Sequence, residues 1–64
     1  MSEMTPLKQV YNQIQAWAVR EREWDKAFRK SGSPLEANAY LERAKNLEAM
    51  LPAIEAAIAK EEAR

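Results

Sequence analysis

Two short stretches, "TPLK" at residues 5–8 and "SPLE" at residues 33–36, constrain this chain more than any other feature. Each sets a hydroxyl residue, Thr5 or Ser33, directly before a proline. Proline lacks an N–H and has a fixed φ, so it suits the first position of a helix, and the hydroxyl before it can cap the free amides. The second stretch adds Glu36 three residues after Ser33, the pattern of a capping box. Between them, "FRKSG" ends in the only glycine, Gly32. A glycine there can take the left-handed conformation that stops a helix, while Arg29 and Lys30 complement that helix's negative end. The reading is one helix over about 6–30, a loop at 31–33 and a second helix over about 34–62. A loop this short forces an antiparallel hairpin, so residues 1–64 form a single all-α helical-hairpin domain.

In the first helix, Leu7, Val10, Ile14, Trp17, Glu21, Trp24 and Phe28 alternate steps of three and four. That is a coiled-coil seam with Leu7, Ile14, Glu21 and Phe28 at position a and Val10, Trp17 and Trp24 at position d. The second helix answers with Ala37, Ala44, Leu51 and Ile58 at a, and Tyr40, Leu47, Ile54 and Glu61 at d. Folding about Ser31 and Gly32 sets Phe28 near Ala37, Trp24 near Tyr40, Trp17 near Leu47, Ile14 near Leu51, Val10 near Ile54 and Leu7 near Ile58. Pro52 removes one helical hydrogen bond and crowds the carbonyl of Glu48, so a kink is expected near it. A full stop is not expected, because the spacing runs on through Leu47, Leu51, Ile54 and Ile58.

A compact chain of this length buries only about 60% of the surface its unfolded form exposes. Scaffolds this small usually need a staple. The chain has no cysteine and no histidine, which excludes disulfides and the usual zinc ligands. Oligomerisation is the staple that remains. The stretch "AMLPAIEAAIA", residues 49–59, holds a single charged side chain, Glu55, and one partner helix cannot cover all its faces. Leu41, Met50 and Ala57 flank the second seam, and Tyr11, Ala16, Ala18 and Val19 lie off the first. Soluble monomers rarely expose large apolar patches. Self-association through Tyr11, Leu41, Met50 and Ala57 is therefore expected, with a homodimer closing as a four-helix bundle.

Ten basic and ten acidic residues cancel, so no global field draws in nucleic acid or an anionic membrane. No apolar run approaches the ~20 residues that span a bilayer. The start, "MSEMTPLKQ", lacks the basic and apolar regions of a secretory leader. A soluble, cytoplasmic chain without membrane contact is expected. No phosphate loop, nucleophile–base pair or metal-ligand spacing occurs, so the expectation is no enzyme, no catalytic residue, no cofactor and no metal.

Three features remain to be weighed. Glu21 sits on the seam between Arg20 and Arg22, where a polar residue more often sets register than performs chemistry. Its carboxylate can reach the edge and pair with Arg43 or Lys45. Trp17 and Trp24, with Tyr40 nearby, could stack bases, but aromatics at d positions read first as core. Arg20, Arg22, Lys26, Arg29 and Lys30 make the loop half basic, and Arg22, Lys26 and Arg29 share one face. Interspersed Glu21, Glu23 and Asp25 make that face read as solvated helix surface; otherwise it is a face for an anion or a partner.

The plan as a whole resembles, in topology alone, the plasmid-encoded RNA-binding hairpins of the Rop type. No motif is shared, so no residue carries over. The small, cysteine-free helical build also resembles phage and mobile-element regulators and inhibitors that bind a host protein. The function expected is a non-enzymatic, homo-oligomeric interaction module that binds and modulates a protein partner. The alternative is an RNA- or nucleotide-binding helical bundle that uses the basic loop-end face.

Overall fold

The computed structural model describes residues 4–63: two helices, α1 (Pro6–Lys30) and α2 (Pro34–Glu62), packed against each other as an all-helical hairpin. Thr5 caps α1 as its sequence implies. Its backbone is extended, and its hydroxyl accepts the Lys8 amide at 3.3 Å. The other end of α1 closes mainly on backbone, with the Ser31 hydroxyl also donating to the Phe28 carbonyl at 3.1 Å. Gly32 takes φ +87° and donates to the Arg29 carbonyl at 3.3 Å, while Ser33 donates to the Phe28 carbonyl at 2.8 Å. This pair of bonds is a Schellman closure, which satisfies carbonyls the helix end would otherwise leave open.

The capping box at Ser33 does not form. Ser33 makes no side-chain cap bond, and its backbone (φ −113°, ψ 71°) departs from the extended geometry a capping residue prefers. In so short a loop one residue serves two helices. The Ser33 amide is committed to closing α1, and its carbonyl accepts the first α2 bond, from Ala37 at 3.0 Å. Further along, α2 continues through Pro52 to Glu62.

Among the described residues, four side chains are buried: Ile14, Ala18, Ala37 and Ala44. In α1 the half-buried residues Leu7, Tyr11, Glu21, Asp25 and Phe28 complete a stripe with Ile14 and Ala18. This corrects the expected seam. Position a faces α2, but its companion is Tyr11, Ala18 and Asp25, and Val10, Trp17 and Trp24 remain 47%, 45% and 48% exposed. Helix α1 is thus turned by about 50° from the a/d reading, at 100° per residue. The physical reason is volume. Three of the four buried side chains are alanine, and alanines let helix backbones approach closely. An indole does not fit between helices that close, so Ala18 enters the seam and both tryptophans move to its rim.

The hairpin measures 50 × 21 × 11 Å, a slab with two broad faces. Among the described residues, no helix is long and apolar enough to cross a membrane.

Candidate functional site

The two broad faces of the slab differ in chemistry. One is closed by polar pairs that cross from α1 to α2. Lys8 pairs with Glu62 at 2.7 Å, the Tyr11 hydroxyl donates to Glu55 at 2.6 Å, and Arg22 grips both oxygens of Glu48 at 2.5 and 2.7 Å. Arg29 donates to Asp25 at 2.7 Å and to Asn38 at 3.0 Å, extending the series to the loop. The charges respond to one another. The Arg22 guanidinium, through its two hydrogen bonds, holds the Glu48 carboxyl below its ordinary range, and Arg22 is itself held more firmly protonated. Donation to Glu55 pushes the Tyr11 hydroxyl pKa up, because ionising the phenol would break that bond beside a negative charge. These groups all reach solvent at the rim of the seam, so each pair contributes little to stability. Together they fix register and cover the seam on that side.

The opposite face carries the displaced d positions. Val10, Trp17 and Trp24 line it from α1, and Tyr40, Leu47 and Ile54 line it from α2 at the same spacing. Near the loop the rings make a cluster. Phe28 stacks on Tyr40 at 5.2 Å, and Trp24 lies 5.8 Å from Phe28 and 6.1 Å from Tyr40. The guanidinium of Arg43 covers the Tyr40 ring at 5.6 Å. Aromatic and cation contacts at these distances are attractive.

Between the helices on this face lies an open cleft of about 430 Å³, lined by Trp17, Arg20, Glu21, Arg43, Asn46 and Leu47. A second depression, bounded by Arg20, Glu23, Trp24 and Ala27, continues it along α1. Glu21 forms the cleft wall, its side chain only 12% exposed, and one oxygen pairs with Arg43 at 3.2 Å. The edge pairing with Arg43 read from the sequence is therefore present. The second oxygen is buried with no hydrogen-bond partner among the described residues. A carboxylate can accept about four hydrogen bonds, so this one is under-used.

The residues singled out for self-association fall on both faces. Tyr11 lies on the paired face with its hydroxyl engaged by Glu55. Leu41 recurs seven and fourteen residues before Glu48 and Glu55, which places it on that face too. Met50, 50% exposed, and Ala57 follow Leu47 and Ile54 onto the aromatic face. No single flat contact gathers all four.

The basic set is dispersed as well. Arg22 and Arg29 are bound to their own chain's carboxylates. Lys26 and Lys30 project from the outer surface of α1, and Arg20 alone borders the cleft. The shared face of Arg22, Lys26 and Arg29 is thus a partly neutralised surface.

Sequence reasoning missed the tryptophans as surface residues. The available signal was size, since bulky d positions in α1 stand against a second helix whose a positions begin with Ala37 and Ala44. Among the described residues, no group of acidic side chains has the arrangement of a metal site. Compared with known proteins, the chain matches no family profile, no curated protein and no solved structure.

Proposed function

We propose that this chain is a non-enzymatic helical interaction module that assembles with itself and acts by binding and modulating another protein. The observation that carries this reading is the imbalance between core and surface. Among the described residues four side chains are enclosed, three of them alanine, whereas Val10, Trp17, Trp24 and Met50 stand about half exposed on one face. So small a core is a weak basis for a lone folded hairpin, and a second copy would supply the missing burial. Protein recognition favours surfaces of this composition, since tryptophan, tyrosine, methionine and arginine are enriched where proteins meet. The alternative of a nucleic-acid or nucleotide ligand has less behind it, because two of the five proposed basic residues are already paired.

Sedimentation equilibrium across a concentration series tests the reading. The expected result is reversible association, with helix content and Tm rising with concentration. A monomer at every concentration, melting cooperatively at a constant temperature, overturns it.

A further inference from the structure

On the aromatic face of α1 the two indoles are placed symmetrically about one point. Trp17 and Trp24 stand equidistant from the Arg20–Glu21 peptide bond, and the two charges that flank that bond are opposite. Arg20 has no ion-pair partner among the described residues, and Glu21, its neighbour in the cleft, has a buried oxygen with no donor. A single chain cannot join them, because adjacent residues on a helix point about 100° apart. A second chain laid antiparallel can.

The geometry points to a two-fold contact in which α1 of one copy crosses α1 of another over the aromatic face, with the axis passing at residues 20 and 21. This inference rests on the self-association proposed above and assigns its face and register. In this register Arg20 of each copy enters the other's cleft and brings its unpaired charge against the cleft wall that Glu21 forms. Trp17 of each copy meets Trp24 of the other, and both indoles leave water.

Three observations commit the face to a second copy rather than to another partner. The charge pattern is complementary to itself, as a two-fold contact requires, since each residue contact occurs twice. The axis position is only about three residues from the middle of α1, so most of the helix overlaps its counterpart. The broad face, 50 × 21 Å, also exceeds the ~800 Å² per partner that a stable contact takes. The opposite face has the same area but not the free complementary charges, because Arg22, Lys8 and Arg29 are already matched within the chain. With one competent face per copy, the contact closes as a dimer and does not propagate.

A charge-exchange experiment tests the register on the full chain. Arg20→Glu sets acid against Glu21 of the other copy, and Glu21→Arg sets base against Arg20. Each alone should weaken self-association on the order of tenfold or more, because the clash occurs at both ends of the axis. An equimolar mixture should recover near wild-type association as a mixed dimer, with indole emission shifted to the blue. Glu21→Gln retains the shape of the seam and should weaken association less than Glu21→Arg, with helix content unchanged by circular dichroism. This second variant guards against simple misfolding, since Glu21 also holds Arg43.

If the wild-type chain associates but both charge variants match it, the register is wrong while self-association stands. A wild-type chain that stays monomeric removes both. A monomer whose tryptophan emission is quenched by a single-stranded oligonucleotide at low salt assigns the face to nucleic acid and overturns the inference.

Discussion

The two broad faces of this hairpin are built from the same two helices, yet one is finished and the other is not. On the paired face, Lys8, Tyr11 and Arg22 each find an acceptor on α2. On the aromatic face, Trp17 and Trp24 remain nearly half exposed and Glu21 keeps an unused oxygen. The difference comes from one rotation. Turning α1 so that Ala18 enters the seam brings long polar side chains to one rim, where they can reach across. The same turn carries large apolar side chains to the other rim, where one helix partner cannot cover them. Internal pairing makes a face self-sufficient, whereas displaced apolar volume leaves a face open.

The largest expected effect strikes the seam that both faces share. Ile14→Ala removes methylenes from the one large side chain enclosed among the described residues and should cost about 2–4 kcal/mol. Thermal melts followed by circular dichroism should lose helix and association together. If association survives at full strength, the hairpin seam is not the foundation of either face.

Met50→Glu against Glu48→Gln compares the faces directly. The charge placed on the aromatic face should reduce the association constant on the order of tenfold, with helix loss appearing only on dilution. Removing the charge of Glu48 should leave association unchanged and act on acid stability instead. Because Arg22 depresses the Glu48 pKa, its contribution is present above the ordinary carboxylate range and is lost as pH falls through the lowered value. The acid side of the Tm–pH curve should therefore flatten in Glu48→Gln. Equal effects of both substitutions on sedimentation would erase the distinction between the faces.

The smallest expected effect is alkaline. The raised pKa of Tyr11 means its bond to Glu55 contributes below the ordinary phenol range and is lost as pH rises through the raised value. Tyr11→Phe should lower Tm slightly at neutral pH and remove that alkaline decline. An unchanged alkaline limb would show that the bond does not matter to stability.

Much of the fold was legible because its signals are local. A proline after a hydroxyl residue marks each helix start, and a lone glycine marks the bend, without reference to anything distant. The pairing of Glu21 with Arg43 and the proximity of Trp24 to Tyr40 followed from counting outward from that bend. The rotation of α1 was not legible from spacing. Leu7, Ile14 and Phe28 are compatible with companions at Val10, Trp17 and Trp24 or at Tyr11, Ala18 and Asp25, and apolarity favours the first set. What decided for the second was the space available against Ala37 and Ala44, a property of two helices together. For the same reason the basic residues read as one face from α1 alone, whereas the acceptor of Arg22, Glu48, lies on α2. The capping box at Ser33 failed through a comparable conflict, as the closure of α1 claimed the residue first.

The bend itself has two independent locks, and this bears on how the chain can change its oligomeric form. Gly32 needs a positive φ, and a Cβ built there meets nothing within 4 Å, so the cost of a larger residue lies in the backbone alone. Pro34 adds a second restraint by keeping Ser33 out of the α-helical region. With both removed, nothing local would prevent α1 and α2 from fusing into one rod of about 85 Å at 1.5 Å per residue. Two such rods could exchange halves and rebuild every seam contact between chains, a domain-swapped pair. Gly32→Ala alone should leave the bend in place, and Gly32→Ala with Pro34→Ala should release it. Small-angle scattering would report the release as a radius of gyration well above the 14.9 Å of the hairpin. Gly32 in the loop and Pro34 at the start of α2 thus hold the compact form, and the complementarity of the two helices would serve a longer one equally well.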